Sequence, residues 1–474
     1  MPRQALRLLL LLVALALLAA GCGSKSSSGS GLDSALKYIP KDAAVVVAVD
    51  TNPDGDQWQQ VEDLIGKFPG GGQAKQQFKS AFGARSGLDW DKDVKPLLGN
   101  DLVIAYTGGS SATGGTRYVL AWPVKDEDAA KRLLDKGGAN RAKLVDGTLV
   151  AARTQTDLDA ALKRADGDAH MTEDDFNSAL GDLKPDSLVR VTGNVQALIG
   201  SQGDAAAARK VKWVSALRTF GATVSADPDG IATAFNVETD SGSLTDTDLP
   251  IAAGSQAVPV VRRAGEVGFG VRNPAQLYAF GQVAARITDP AGYAKFVRDK
   301  AQASKDLGVN VDRDIFAQLT GNTTFSVALD GEFAMRADLR DPAAMEATLK
   351  KAVPRLKKVA KKETVTAPKN GKGFYTITSA SGKKYVFGVV GKSFVVATDA
   401  ARAAQFAGQS PSVVNGAKGA FVLASDAHAL ANAAAAKRGQ GVAAQLITGS
   451  LGDLIGWVES ETSGLKGSLK LFIR

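Results

Sequence analysis

The order of apolar runs, turns and helical stretches in the first half of the chain recurs in the second half. This recurrence restricts the fold more than any other feature. Ala44-Val45-Val46-Val47-Ala48-Val49 is followed by Asn52-Pro53, and Glu266-Val267-Gly268-Phe269-Gly270-Val271 by Asn273-Pro274. Leu88-Asp89-Trp90-Asp91-Lys92-Asp93-Val94 leads to Leu97-Leu98-Gly99-Asn100 and an expected strand at 102–106. Val309-Asn310-Val311-Asp312-Arg313-Asp314-Ile315 leads to Leu319-Thr320-Gly321-Asn322 and an expected strand at 324–329. A strand at 118–122 and a helix at 126–136 then parallel a strand at 333–339 and a helix at 342–351. Turns at Asp146-Gly147 and Gly391-Lys392 sit between apolar runs, the pattern of a tight hairpin. Each half is expected to close on a helical stretch and a last hairpin, the first turning at Asp227-Pro228-Asp229-Gly230.

The strands are joined by both hairpins and helices, with no strict βαβα series, which argues against a doubly wound parallel sheet. The fold class expected is α+β: two tandem copies of a mostly antiparallel sheet with helices packed on one face, pseudo-symmetric, with room for a groove between them. The copies are placed at 32–240 and 258–474, each of ordinary domain size. A linker at 241–257, rich in Ser, Thr, Asp, Gly and Pro, joins them. With 474 residues, 45% hydrophobic and 22% charged, the chain is too long for one core and too apolar for wholesale disorder. Two histidines and one cysteine leave no route to an internal disulfide or to a zinc site of the usual ligands.

The N-terminus carries an address. Arg3 and Arg7 precede an apolar run at 8–20, the layout of a secretory signal and too short to span a bilayer comfortably. It ends Leu18-Ala19-Ala20-Gly21-Cys22, which resembles a bacterial lipobox with its leucine one place early. Residues 1–21 are read as a lipoprotein signal peptide. Residues 22–31, beginning with a lipidated Cys22 and continuing through Gly and Ser, are read as a flexible tether. The expected location is extracytoplasmic, at the outer face of the cytoplasmic membrane.

Tyr38-Ile39-Pro40-Lys41-Asp42-Ala43 through Asp50, with Pro53, Gln57 and Phe68-Pro69, together with Asp93-Val94-Lys95-Pro96-Leu97-Leu98-Gly99-Asn100, resembles the bacterial envelope proteins grouped as a domain of unknown function, DUF3352. The resemblance implies an exported, membrane-associated protein. It implies no catalytic or binding residue.

Three polar clusters have the residue types of a site, and each has a plainer reading. Asp89-Trp90-Asp91-Lys92-Asp93 alternates carboxylates as a calcium loop does. An EF-hand loop counted from Asp89 would need Gly where Val94 stands and Glu where Asn100 stands. Asn310 occupies the equivalent place in the second half, so helix capping is expected in both. Ser425-Asp426-Ala427-His428 holds a nucleophile, an acid and a base, but no Gly-x-Ser-x-Gly elbow surrounds Ser425. The first half has Gly193-Asn194-Val195-Gln196 there, so Asp426 and Asn194 are again expected as caps. His170 lies just before Thr172 and Asp175, a helix start, and is expected at the surface. No catalytic residue, metal ligand or cofactor is assigned.

The strongest charge feature is the run at 350–362. Leu349, Val353, Leu356 and Val359 or Ala360 keep helical spacing, with basic residues between and a break or kink expected at Pro354. Lys350, Lys351, Arg355, Lys357, Lys358, Lys361 and Lys362 are candidates for contact with an anionic membrane surface. Nucleic acid is not expected as a partner, because no aromatic stacking platform accompanies the charge. The function expected is that of a non-enzymatic envelope lipoprotein binding a partner protein or an apolar ligand. Alternatives are a lipid carrier or sensor with a cavity under helices at 205–217 and 429–447, a carboxylate-based cell-wall hydrolase, and a structural scaffold.

Overall fold

A computed structural model describes residues 31–73, 76, 79–80, 84, 88–110, 116–137, 141–200, 203–359, 363–368, 373–437 and 448–474. The signal sequence at 1–21, Cys22, the tether to residue 30, and Lys361 and Lys362 lie outside the described residues. The chain divides into two compact units. The first comprises 1–206, 217–238 and 472–474, and the second comprises 207–216 and 239–471.

The first unit holds β1 (Val45–Val49), β2 (Leu102–Ser110), β3 (Thr116–Pro123), β4 (Ala142–Val145), β5 (Thr148–Ala152), β6 (Val189–Asn194), β7 (Leu217–Asp227) and β8 (Gly230–Thr239). The antiparallel pairings run β4, β5, β3, β2, β1, β6, β7. β4 and β5 join through Asp146 and Gly147, at φ 46° and 70°, with Val145 opposite Thr148. Positive φ at both turn positions is what a two-residue hairpin of this twist requires, and Asp-Gly supplies it.

Helices cover both faces of this sheet, which corrects the expectation of a single covered face. Val46 and Ala48 of β1 pack with the helices Leu32–Leu36, Gln155–Ala165 and Glu173–Leu180 through Leu36, Leu158 and Phe176. Val47 and Val49 of the same strand face the other way, onto Trp58, Val61 and Leu64 of the helix Asp56–Gly66. A strand that reads Val-Val-Val-Ala-Val is apolar on both sides and needs cover on both.

The second unit holds β9 (Glu266–Arg272), β10 (Asn322–Ala328), β11 (Phe333–Asp338), β12 (Thr364–Thr366), β13 (Tyr375–Thr378), β14 (Lys384–Val390), β15 (Ser393–Ala397), β16 (Phe421–Asp426), β17 (Leu451–Glu461) and β18 (Gly464–Ile473). Its antiparallel pairings run β12, β13, β14, β15, β11, β10, β9, β16, β17. From β14 onward this is the order of the first unit, strand for strand. β12 and β13 are an addition at one end.

The run at 205–217 does not make one helix. A short wound stretch, Gly203–Lys210, precedes the five-residue helix Lys212–Ala216, and Leu217 already belongs to β7. The β-branched and aromatic residues from Leu217 onward favour strand over helix. The helix after β16 is described over Ala427–Lys437, and 438–447 lie outside the described residues. Pro354 does not break the basic helix, which runs unbroken over Pro342–Val359. The missing N–H of Pro354 frees only the carbonyl of Lys350, an exposed residue whose backbone can turn to water.

Candidate functional site

Each polar cluster with the residue types of a site makes local hydrogen bonds. Asp89 Oδ1 accepts from the N–H of Asp91 and of Lys92, both at 3.0 Å, and Asp93 Oδ2 accepts from the Asp89 N–H at 2.9 Å. In the second unit Asn310 Oδ1 accepts from Arg313 N–H at 2.9 Å, and Asp314 Oδ2 from Asn310 N–H at 2.8 Å. Both are N-caps of a single wide turn. Asp426 Oδ1 accepts from Ala429 N–H at 3.0 Å, as Asn194 Oδ1 does from Ala197 N–H at 2.9 Å.

Ser425, Asp426 and His428 do not converge. Ser425 Oγ donates to the Glu266 carbonyl at 2.9 Å, while His428 Nδ1 meets the Thr448 carbonyl at 2.7 Å. Gln196, which stands where His428 does, donates to the Leu217 carbonyl at 3.0 Å. His170 Nδ1 sits 2.7 Å from the Gly167 carbonyl, ahead of a helix start in which Thr172 and Asp175 cap each other. Among the described residues no set of three or more His, Cys, Asp or Glu side chains is placed to hold a metal ion.

The segments that carry the family resemblance meet at the end of β1. Thr51 Oγ1 donates to the Asn100 carbonyl at 2.6 Å, and Trp58 Nε1 to the Asp50 carbonyl at 3.0 Å. Gln57 both donates to and accepts from the backbone of Ala226, at 3.2 and 2.9 Å. Asp101 and Arg190 form a buried ion pair at 2.6 Å. Burial pushes the Asp50 carboxyl up to about 6; the hydrogen bond from the Asn52 N–H opposes the rise and Asp101 adds to it.

Among the described residues, an apolar pocket with room for a ligand lies in the second unit, beneath the basic helix. β14 and β15 alternate along their length. On one face Val386, Val395 and Ala397 pack against Ala403 and Phe406 of the helix Ala400–Gly408 in a closed core. On the other face Tyr385 and Phe387 of β14, Phe394 and Val396 of β15, and Ile377 of β13 are only half-buried. Ile377 stands opposite Tyr385, and Val396 opposite Phe387, so these side chains share one surface.

The helix Pro342–Val359 lies over that surface and turns Met345, Leu349, Ala352, Val353 and Leu356 toward it. Leu307 and Ile315 complete the wall, and the space between, partly open to solvent, is about 360 Å³. The wall is apolar throughout. In the first unit the helix Glu127–Gly137 covers β4 and β5 at the same place in the strand order. There Leu97, Val124, Ala129, Ala130 and Leu149 pack as a buried cluster, with Trp122 against them.

The pocket lies under the helix Pro342–Val359; within the Ala-rich stretches at 205–217 and 429–447, residues 438–447 lie outside the described residues. The heptad-like spacing of Leu349, Val353 and Leu356 found the helical wall. Sequence reasoning missed the strand wall, although Tyr375/Ile377, Tyr385/Phe387 and Phe394/Val396 repeat a period of two on successive strands.

Of the candidate membrane-contact residues, Lys350, Lys351, Arg355, Lys357 and Lys358 are exposed on this helix. Lys350 lies 3.6 Å from Glu346 on the same helix. The Arg355 guanidinium occupies the space a Cβ on Gly308 would take, next to the wall residue Leu307. Lys351 is near enough to Asp314, next to the wall residue Ile315, for its charge to act on that carboxyl. Arg313 beside Asp314 holds its carboxyl below the usual range, with the Asn310 N–H and Lys351 contributing in the same direction. Lys361 and Lys362 lie outside the described residues.

An antiparallel α+β protein with an apolar pocket under an amphipathic helix is what the fold and site define. The family described as "Protein of unknown function (DUF3352)" matches residues 5–143, which bears out the resemblance carried by the segments at the end of β1. Two solved structures, titled "Structure of crystal form III of TP0453" and "Structure of crystal form I of TP0453", are each 7% identical to this chain and cover 43% of it. The match spans 79% and 78% of those chains, with TM-scores of 0.23 and 0.22, too low to carry a structural argument. No curated protein matches the chain. Among the described residues no helix is long and apolar enough to cross a membrane.

Proposed function

We propose that this chain is a non-enzymatic binding protein of the cell envelope, tethered to the outer face of the cytoplasmic membrane by a lipidated Cys22, and that its second unit takes an apolar ligand. The observation that carries the ligand reading is the pocket of about 360 Å³ under the helix Pro342–Val359. Its size falls at the lower end of the 300–1,000 Å³ usual for small-molecule sites and its wall is apolar, as such sites mostly are. The tether reading is supported by the basic and apolar run before Ala19-Ala20-Gly21-Cys22 and by the Gly/Ser stretch after it.

The ligand reading is tested on the full chain in membranes with a photoactivatable hexadecyl probe, followed by mapping of the labelled peptides. Label is expected on peptides holding Met345, Ile377 and Val396. Val396→Phe fills the pocket from a strand that keeps its backbone pairing, and is expected to abolish that label with unfolding temperature little changed. Label spread evenly over the surface, unaffected by Val396→Phe, would refute the reading. The tether is tested separately: Cys22→Ser is expected to remove the acyl mass from the mature N-terminal peptide and to release the chain from the membrane fraction.

A further inference from the structure

The basic residues of the helix Pro342–Val359 are not equivalent. Lys350 is engaged by Glu346, and Lys357 and Lys358 lie beyond the last pocket residue of the helix, Leu356. Lys351 and Arg355 are four residues apart and so share one stripe of the helix. That stripe borders the one that carries Ala352 and Leu356 into the pocket. Each of the two also stands near a wall residue contributed by another element. Arg355 lies over Gly308, adjacent to Leu307, and Lys351 is near enough to Asp314, adjacent to Ile315, for its charge to act on that carboxyl. Leu307, Ile315 and Leu356 are only half-buried, so on this side the pocket reaches solvent.

Asp314 is already engaged by Arg313 at 2.7 Å, and neither Lys351 nor Arg355 has a carboxylate within ion-pair distance among the described residues. Two cations with no carboxylate within ion-pair distance therefore stand near the edge of a cavity whose lining surface is apolar. An apolar chain alone would gain nothing from them. A chain ending in an anion would bury its tail and leave its head at the cations, where a charge-assisted hydrogen bond is among the stronger polar contacts available.

We infer that the pocket's ligand is an amphiphile with a single acyl chain and an anionic head, and that Lys351 and Arg355 hold the head. This rests on the reading of the pocket as a ligand site and adds the ligand's chemical class. A carboxylate or a phosphate satisfies the same two cations, so the head belongs to either a free fatty acid or a single-chain phospholipid. The volume suits one chain rather than two.

The test compares three photoactivatable probes of equal chain length on the full chain in neutral phosphatidylcholine vesicles: palmitate, a lysophosphatidic acid and hexadecanol. Both anionic probes are expected to label the pocket peptides about tenfold more than hexadecanol, in line with one or two charge-assisted contacts. The Lys351→Gln, Arg355→Gln double variant is expected to lose that preference while still labelling weakly with hexadecanol. Arg355→Lys, which keeps a cation, is expected to restore most of it. Lys357→Gln, Lys358→Gln serves as a control for general surface charge and is expected to change nothing. A preference for palmitate alone assigns a fatty acid, and one for the lysophospholipid alone assigns a phosphate head. Equal labelling by all three probes, indifferent to Lys351 and Arg355, overturns the inference and leaves the pocket reading standing. Absence of pocket label from every probe overturns both.

Discussion

The Arg355 guanidinium packs over Gly308, the residue that ends the helix Pro290–Leu307 with φ +67°. The Gly308 N–H closes the helix end on the carbonyls of Ser304 and Lys305, and the contact with Arg355 sets a cation there, near the pocket wall. The glycine is required twice over, once for its left-handed backbone and once because a Cβ would meet the guanidinium. A cation at a helix C-terminus is also favoured by the helix dipole.

Gly308→Ala is therefore expected to destabilise the second unit by roughly 1–2 kcal/mol from the left-handed backbone alone, with a further loss from displacing Arg355. Urea unfolding of the single variants and of the Gly308→Ala, Arg355→Ala pair separates the two parts. The pair is expected to be less destabilised than the sum of the single changes, because removing Arg355 removes the clash. Strict additivity would mean that the two residues do not touch in solution.

Glu266 is the centre of a buried charge network in the same unit. It pairs with Arg402 at 2.6 Å and Arg263 at 3.1 Å, and accepts a hydrogen bond from Ser326 Oγ; Arg402 also reaches Glu332 at 3.1 Å. Arg402 and Glu266 are both nearly inaccessible to solvent, so removing one leaves the other's charge without its partner. Arg402→Met is expected to cost about 3–5 kcal/mol, and the Glu266→Gln, Arg402→Met pair less than Arg402→Met alone. Thermal unfolding of the three proteins gives the ordering, and a pair variant worse than Arg402→Met would contradict it.

Asp50 in the first unit makes stability depend on pH in the opposite sense to a paired carboxylate. Its folded value is raised, to about 6 from 3.8, mainly by burial. The folded state therefore holds the proton more tightly than the unfolded state. The contribution of this group is most favourable below 3.8, falls as pH rises from 3.8 to about 6, and stays low above that. Asp50→Asn keeps an acceptor for the Asn52 N–H and cannot ionise. Its stability relative to the parent is expected to rise by up to about 3 kcal/mol between pH 4 and pH 8, from roughly two units at 1.36 kcal/mol each. Urea titrations at the two pH values measure it, and a gap that does not change with pH would mean that Asp50 is solvated.

Much of this architecture is legible in the residues because it is written in local chemistry. The Asp146-Gly147 hairpin follows from two residues that accept positive φ, and the Thr172 capping box and the caps at Asp89, Asn310, Asn194 and Asp426 from side chains bonding backbone within three positions. The strand orders of the two units agree with the recurring order of elements along the chain. The pocket was only half legible. Leu349, Val353 and Leu356 mark an apolar helix face, but helical spacing does not say whether the opposing sheet fills the space. Trp122 belongs to the packing in the first unit, while Phe387 and Phe394 leave a hollow in the second, and this difference lies in pairings between distant strands. The cover on both faces was missed for a related reason. Val45 to Val49 reads as one apolar run, and only the placement of Trp58 and Leu36 shows that each side has its own helices.

The last prediction separates capping from cation binding at Asp89. Its Oδ1 takes two backbone N–H groups, each at 3.0 Å, and Asp93 returns a bond to the Asp89 N–H. Asp91 points instead to Lys79, at 2.8 Å. The carboxylates of the motif are therefore turned to separate partners rather than toward one centre. As a cap, Asp89→Ala is expected to cost about 1 kcal/mol, and Asp89→Asn, which keeps the acceptor, much less. Millimolar calcium is expected to leave the unfolding temperature of all three proteins unchanged. A calcium-dependent rise in the parent, lost equally in the Ala and Asn variants, would require the carboxylate charge itself and would overturn the capping assignment.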